Sequence, residues 1–282
     1  MTFISYSQNY EDLILWRALK GLSNGFYIDV GAAWPNKDSV TKAFYISGWN
    51  GINIEPNPEL FSELNLHRPR DINLQIAISD FEGELDLNVF SETGLSTLDS
   101  KIAEEHHKVH FQSHPEKVKV YKLSQVWDQY VPQSQEVHFL KVDVEGLEER
   151  VLKSNDWGKN RPWIVVVEAT EPLSQVESYL YWESTLIDAG YLFVYADGLN
   201  RFYVDSKHQN LIHSFKYPPN VFDDYILESK HQADEKIKEL EKKLLEVNGE
   251  LSAIVNSRAW RWTKPIRILF HNLRCIFDKS DT

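Results

Sequence analysis

Carboxylates recur where five short apolar runs of this chain stop. FYIDVGA at 26–32 delivers Asp29 and Gly31, GINIEP at 51–56 ends on Glu55, and INLQIAI at 72–78 is followed by Ser79 and Asp80. EVHFLKVDVEG at 136–146 delivers Asp143, Glu145 and Gly146, and WIVVVEA at 163–169 delivers Glu168. If the runs are strands of an open α/β sheet, ligands bind outside their carboxyl ends. Helix N-capping alone would explain one or two such acids, not one at every end. An acid after the second strand can accept both hydroxyl hydrogens of a ribose, which marks Glu55 as a nucleoside contact. The turn after the first strand separates the candidate nucleosides. A pyrophosphate needs a glycine-rich loop and an open helix N-terminus, whereas DVGAAWPNKD at 29–38 has one glycine, Trp34, Pro35 and the acids Asp29 and Asp38. That loop argues against a nicotinamide-dependent oxidoreductase. It suits a sulfonium cofactor, cationic at its sulfur and at its amino group.

The elements that must position these residues alternate. Short buried runs followed by helical stretches, at about 39–47, 59–66 and LEERVLKS at 147–154, read as βαβ units and predict a doubly wound α/β sheet with five parallel strands. GELDLNVF at 83–90 and VKVYKL at 118–123 supply further strand-like segments. YLFVY at 191–195 and RFYV at 201–204 flank a turn with hairpin chemistry. A terminal antiparallel hairpin is the feature by which the methyltransferase variant of this sheet departs from the dehydrogenase form.

The sequence resembles the FkbM-type methyltransferases. The resemblance rests on SYSQNYEDLIL at 5–15, the stretch from Phe26 to Pro58, AISD at 77–80, GLSTLDSKIAEEH at 94–106, FLKVDVEGLEERVLKS at 139–154, RPWIVVVEAT at 161–170 and DGLNRFYV at 197–204. It covers about residues 3–225 and departs at Ala33-Trp34, where many members have Asn and an acidic or small residue. It implies a Rossmann-like class I methyltransferase sheet, S-adenosylmethionine as donor, and O-methylation of a hydroxyl, commonly on a sugar. Carried over by position, it places Asp29 and Gly31 at the donor's methionine part, Glu55 at its ribose, Asp80 with Ala77 at its adenine, and Gln8, Glu11 and Asp12 closing over it. The acids at 11 and 12 also read as the first turn of an N-terminal helix. Methyl transfer to an alcohol needs the acceptor oxygen aligned at about 3 Å and its proton removed. Asp143 and Glu145 stand where the methyl is expected to point. His106 and His107 are alternative bases, because an unperturbed imidazole titrates nearest neutral pH, and His106 matches a family position. Asp143 and Glu168 could instead hold a divalent cation such as Mg²⁺, with no third obvious ligand.

The chain divides by pattern into a methyltransferase domain at 1–225, a coiled-coil helix at 226–256 and a basic amphipathic tail at 257–282. Apolar residues at Ile226, Ala233, Ile237, Leu240, Leu244, Val247, Leu251 and Ile254 fall at heptad positions a and d. They are expected to serve self-association or docking of a partner, or to pack a lone amphipathic helix. The last 25 residues hold six Lys or Arg against two acids, a net +4 within a total of −12, so residues 1–257 carry −16. Interleaved Trp and Arg there read either as a helix lying on a membrane interface or as an ordinary cationic helix end. The acidic body excludes a general nucleic-acid binder. No 18-residue uncharged apolar run and no signal-peptide core occur, so the expected location is cytoplasmic, with peripheral contact at the inner membrane face through the tail. The expected function is O-methylation of a sugar hydroxyl in surface polysaccharide synthesis. Its rivals are a small-metabolite O- or N-methyltransferase and a non-catalytic coiled-coil adaptor.

Overall fold

The computed structural model describes residues 2–90 and 113–268, the side chains of 88–90 and 113–115 excepted. His106, His107, the motif GLSTLDSKIAEEH and the last fourteen residues of the basic tail lie outside the described residues. Seven strands form the main sheet: β1 (Phe26–Val30), β2 (Asn50–Ile54), β3 (Ile72–Leu74), β4 (Phe139–Val142), β5 (Ile164–Glu168), β6 (Tyr191–Ala196) and β7 (Asn200–Asp205). Their order is β6-β7-β5-β4-β1-β2-β3. The first five run parallel, and β7 lies antiparallel between β5 and β6. This is the mostly parallel sheet with a terminal antiparallel hairpin that the sequence leads one to expect.

Alternation along each buried strand covers both faces with core. Tyr27, Phe139, Ile164 and Val166 pack on one side with Phe44 and Trp49, whereas Ile28, Leu140, Val165 and Val167 pack on the other with Trp157 and Trp182. Burial on both faces is why these runs read as nearly continuous hydrophobic stretches. Asn57 caps the helix Pro58–His67, its side chain accepting from the backbone N–H of Glu59 and Leu60, with Pro58 at the first helical position where its missing N–H costs nothing. Strand order reverses between β1 and β4, and there the sheet opens a crevice.

One expected element differs. INLQIAI does not continue as one strand: β3 stops at Leu74, and Ala77–Ile78 joins Gly83–Phe90 and Ser113–Tyr121 in a separate three-stranded sheet. Among the described residues β3 is the edge of the main sheet and nothing on its far side holds the chain beyond Leu74, whereas Ala77 and Ile78 find parallel partners in Val120 and Tyr121. Asp80 therefore follows the small sheet, not the third strand.

The chain divides into two compact units, Met1–Ile226 and Leu227–Thr282. In the second, Glu228–Asn256 is one 29-residue helix, and Ser257 caps the short helix Arg258–Trp262 by accepting from the Trp260 N–H. Among the described residues no helix is long and apolar enough to cross a membrane.

Candidate active site at the strand ends

Lys141 organises the crevice. It lies on β4 in register with Asp29 of β1. Its ammonium donates to the Gly31 carbonyl at 2.7 Å and stands 3.4 Å from Asp29 Oδ1 and 3.3 Å from Asp143 Oδ2. Burial would push this ammonium's pKa down, but Asp143 and Asp29 outweigh it and the net shift is upward, so the lysine stays charged. Asp29 is itself buried, which pushes its carboxyl up, against Lys141 and the Thr41 hydroxyl that bonds Oδ2 at 3.2 Å. Gly31 has φ +78°, and a Cβ there would sit 1.7 Å from the Asp143 carbonyl oxygen. Only glycine lets the ends of β1 and β4 approach this closely.

Glu55 closes the other side. Its carboxylate accepts from the Ala33 N–H and the Asn57 N–H, both at 2.9 Å, fastening the loop after β1 to the end of β2. Burial pushes its pKa up to about 7, against those two backbone bonds. Ala33 takes the left-handed conformation (φ +49°), which an asparagine adopts more readily than an alanine.

Between these walls lies a cavity of about 400 Å³, within the range of small-ligand sites. Of the residues singled out by sequence, Gln8, Gly31, Glu55, Ala77, Asp143 and Glu145 line it, together with Trp34 and the apolar Ile54, Ile76, Ile78 and Leu87. Lys37 and Asp38, 3.6 Å apart, face it as an exposed pair. Asp29, Glu11, Asp12 and Asp80 do not line it. The Asp12 carboxylate accepts from Ser5 Oγ, Ser7 Oγ, the Tyr6 N–H and the Leu13 N–H, each at 2.7 Å. Glu11 accepts from the Asn9 N–H and from Asn200 Nδ2. Both acids fix the N-terminal segment from which Gln8 reaches the cavity. Asp80 is exposed and accepts from Ser79 Oγ at 3.2 Å.

A second cavity, of about 380 Å³, shares Gln8, Asp143 and Glu145 with the first and adds Glu168, Thr170, Ser174 and Gln175. Its acids crowd one another. Burial, then the charges of Asp143 and Glu148, pushes Glu145 up to about 8. Glu168 is raised further, by burial first and then by Asp143, Glu145 and Glu148, and its Oε2 is buried with no hydrogen-bond partner among the described residues. Glu148, raised to about 7 by burial, spans the turn after β4, its Oε1 accepting from the N–H groups of Val144 and Gly146. Among the described residues, no three His, Cys, Asp or Glu side chains are grouped to hold a metal. Beside Asp143 the positive charge is already the Lys141 ammonium.

Lys141 and Glu148 escaped the reading of the sequence. Lys141 had a signal: a lysine inside the apolar run FLKV, on a strand buried on both faces, must be paired. Glu148 had none, because an acid in a first helical turn is common.

Residues 29–193, more than half of the chain, match the family model described as the methyltransferase FkbM domain. No curated protein sequence matches the chain.

Proposed function

The chain belongs to the FkbM methyltransferase family, and from that premise we propose that it moves a methyl group from S-adenosylmethionine to a hydroxyl of a sugar or glycan acceptor, in the making of surface polysaccharide. The observation that carries the reading is the placement of the Glu55 carboxylate at the mouth of β2, on the cavity that Gly31 and Asp143 also line. When bound, the donor supplies an activated methyl carbon. Glu55 would accept the two ribose hydroxyl hydrogens, Ile54, Ile76 and Ile78 would flank the adenine beside Ala77, and the backbone at Gly31 would leave room for the methionine part. Acids outnumber bases around this cavity, which suits a cationic donor once Glu55 and Glu145 are ionised.

The adjoining cavity takes the acceptor in this reading. Gln8, Thr170, Ser174 and Gln175 offer hydrogen bonds suited to a polyhydroxylated ring. Asp143 and Glu145 line both cavities, where a proton leaving the acceptor hydroxyl could be taken up. The basic segment from Arg258, with Trp262 exposed, holds the enzyme against an anionic membrane face. Vesicles containing anionic lipid should float the full chain but not one truncated before Arg258; equal flotation of both removes this part of the reading.

Titration calorimetry with S-adenosylmethionine and S-adenosylhomocysteine tests the core of the proposal. Micromolar binding is expected for the wild type, weakened about 10–150-fold in Glu55→Ala, the range of hydrogen bonds to a charged group. Because the ionised carboxylate is the acceptor and its pKa lies at about 7, affinity should climb as pH rises from about 6 to about 8. Folded wild-type protein that binds neither compound would leave the adaptor reading in its place.

A further inference from the structure

The helix Glu228–Asn256 carries an apolar stripe that stays exposed among the described residues. Ile237, Leu240, Leu244, Val247, Leu251 and Ile254 are each between 53% and 61% exposed. They recur at alternating spacings of three and four, which assigns Lys230, Ile237, Leu244 and Leu251 to position a and Ala233, Leu240, Val247 and Ile254 to position d. In proteins most of a helix's stability comes from packing of its apolar face, so this stripe calls for a partner.

The flanking charges select the partner. Position g holds Lys236, Lys243 and Glu250; position e holds Asp234, Glu241, Asn248 and Val255. When two copies run parallel and in register, each g residue faces the e residue of the next heptad on the other copy. Lys236 then meets Glu241 of the second copy, the pair occurs twice, and no like charges meet at these flanks. Running the same stripe antiparallel, with Ile237 over Ile254 of the second copy, sets Lys243 against Glu250 of that copy, also twice and again without like charges at the flanks. We propose that this helix is covered by further copies of the same chain in a coiled coil. In the parallel arrangement Lys230, at an a position, faces Lys230 of the second copy at a cost in stability. Ile237 with Leu240 suits two strands, whereas Leu244 with Val247 and Leu251 with Ile254, β-branched at d, suit more than two.

Light scattering behind size exclusion on the full chain should give twice the chain mass or a higher multiple, falling to one chain in Leu240→Asp/Val247→Asp with an unchanged near-ultraviolet circular dichroism spectrum. Disulfide trapping in a Cys275→Ser background checks the seam. Oxidised mixtures of Leu244→Cys and Val247→Cys chains should link, as homodimers of each for a parallel pair and as the crossed pair for an antiparallel one, and Lys238→Cys chains, off the seam, should not. A wild type that elutes as one chain, or seam cysteines that link no more than Lys238→Cys, overturns the proposal.

Discussion

Replacing Lys141 with methionine is expected to lower the stability of the methyltransferase domain by about 3–5 kcal/mol, the cost of breaking a buried ion pair from one side. The stem of methionine fills much the same space, so the loss is electrostatic. Asp29 is 1% exposed, and without the ammonium its Oδ1 faces no hydrogen-bond donor. The Gly31 carbonyl loses its donor as well. A domain of this kind has about 5–15 kcal/mol in total, so the urea midpoint should fall by about a fifth or more. Adding Asp29→Asn to Lys141→Met removes the stranded charge and should recover most of the loss, whereas adding Asp80→Asn, at an exposed site, should recover none. An unchanged midpoint in Lys141→Met would mean that the lysine does not hold these strand ends together.

That network also marks the boundary of what could be read from the residues alone. Strands were legible because runs such as WIVVVEA are apolar on both faces and end in an acid, and the terminal hairpin was legible from Asp197-Gly198 between two aromatic-rich segments. Acids at strand ends were found as a class, but which of them reach the cavity depends on neighbours distant in sequence. Asp29 turns to Lys141, 112 positions on, and Glu11 turns to Asn200, 189 positions on. Side chains that look alike in the chain thus divide into those that hold the loops, such as Asp12 and Glu148, and those that face the cavity, such as Glu55 and Glu145. The early stop of β3 was hidden for a similar reason. Leu74 and Ala77 belong to one apolar run, and their separation is decided by which strands lie beside them.

Methyl transfer is expected to accelerate with pH and level off above about 8, and Glu145→Gln is expected to flatten that rise while lowering kcat by about 10²–10⁴, the usual worth of a positioned base. In the proposed transfer to a hydroxyl, only the ionised carboxyl can take the acceptor's proton. With its pKa pushed up to about 8, by burial first and then by Asp143 and Glu148, the ionised fraction of Glu145 grows tenfold per unit below that point. The same shift makes it a stronger base than an ordinary glutamate, which at pH 7 is ionised but too weak to draw a proton from an alcohol. The backbone is arranged to hold it there. Glu145 takes a left-handed conformation (φ +53°), costing about 1–3 kcal/mol for a side chain of its kind, and the Glu148 carboxylate pins the N–H groups on either side of it. Glu148→Ala should therefore lower kcat through the placement of Glu145, leaving donor affinity nearly unchanged, and Glu148→Gln, which keeps an acceptor oxygen for the same two N–H groups, should restore part of it. If the rate instead inflects near 6.5, the ordinary histidine value, and that inflection disappears in His106→Ala but survives in Glu145→Gln, proton removal belongs to His106 and Glu145 only shapes the field around Asp143.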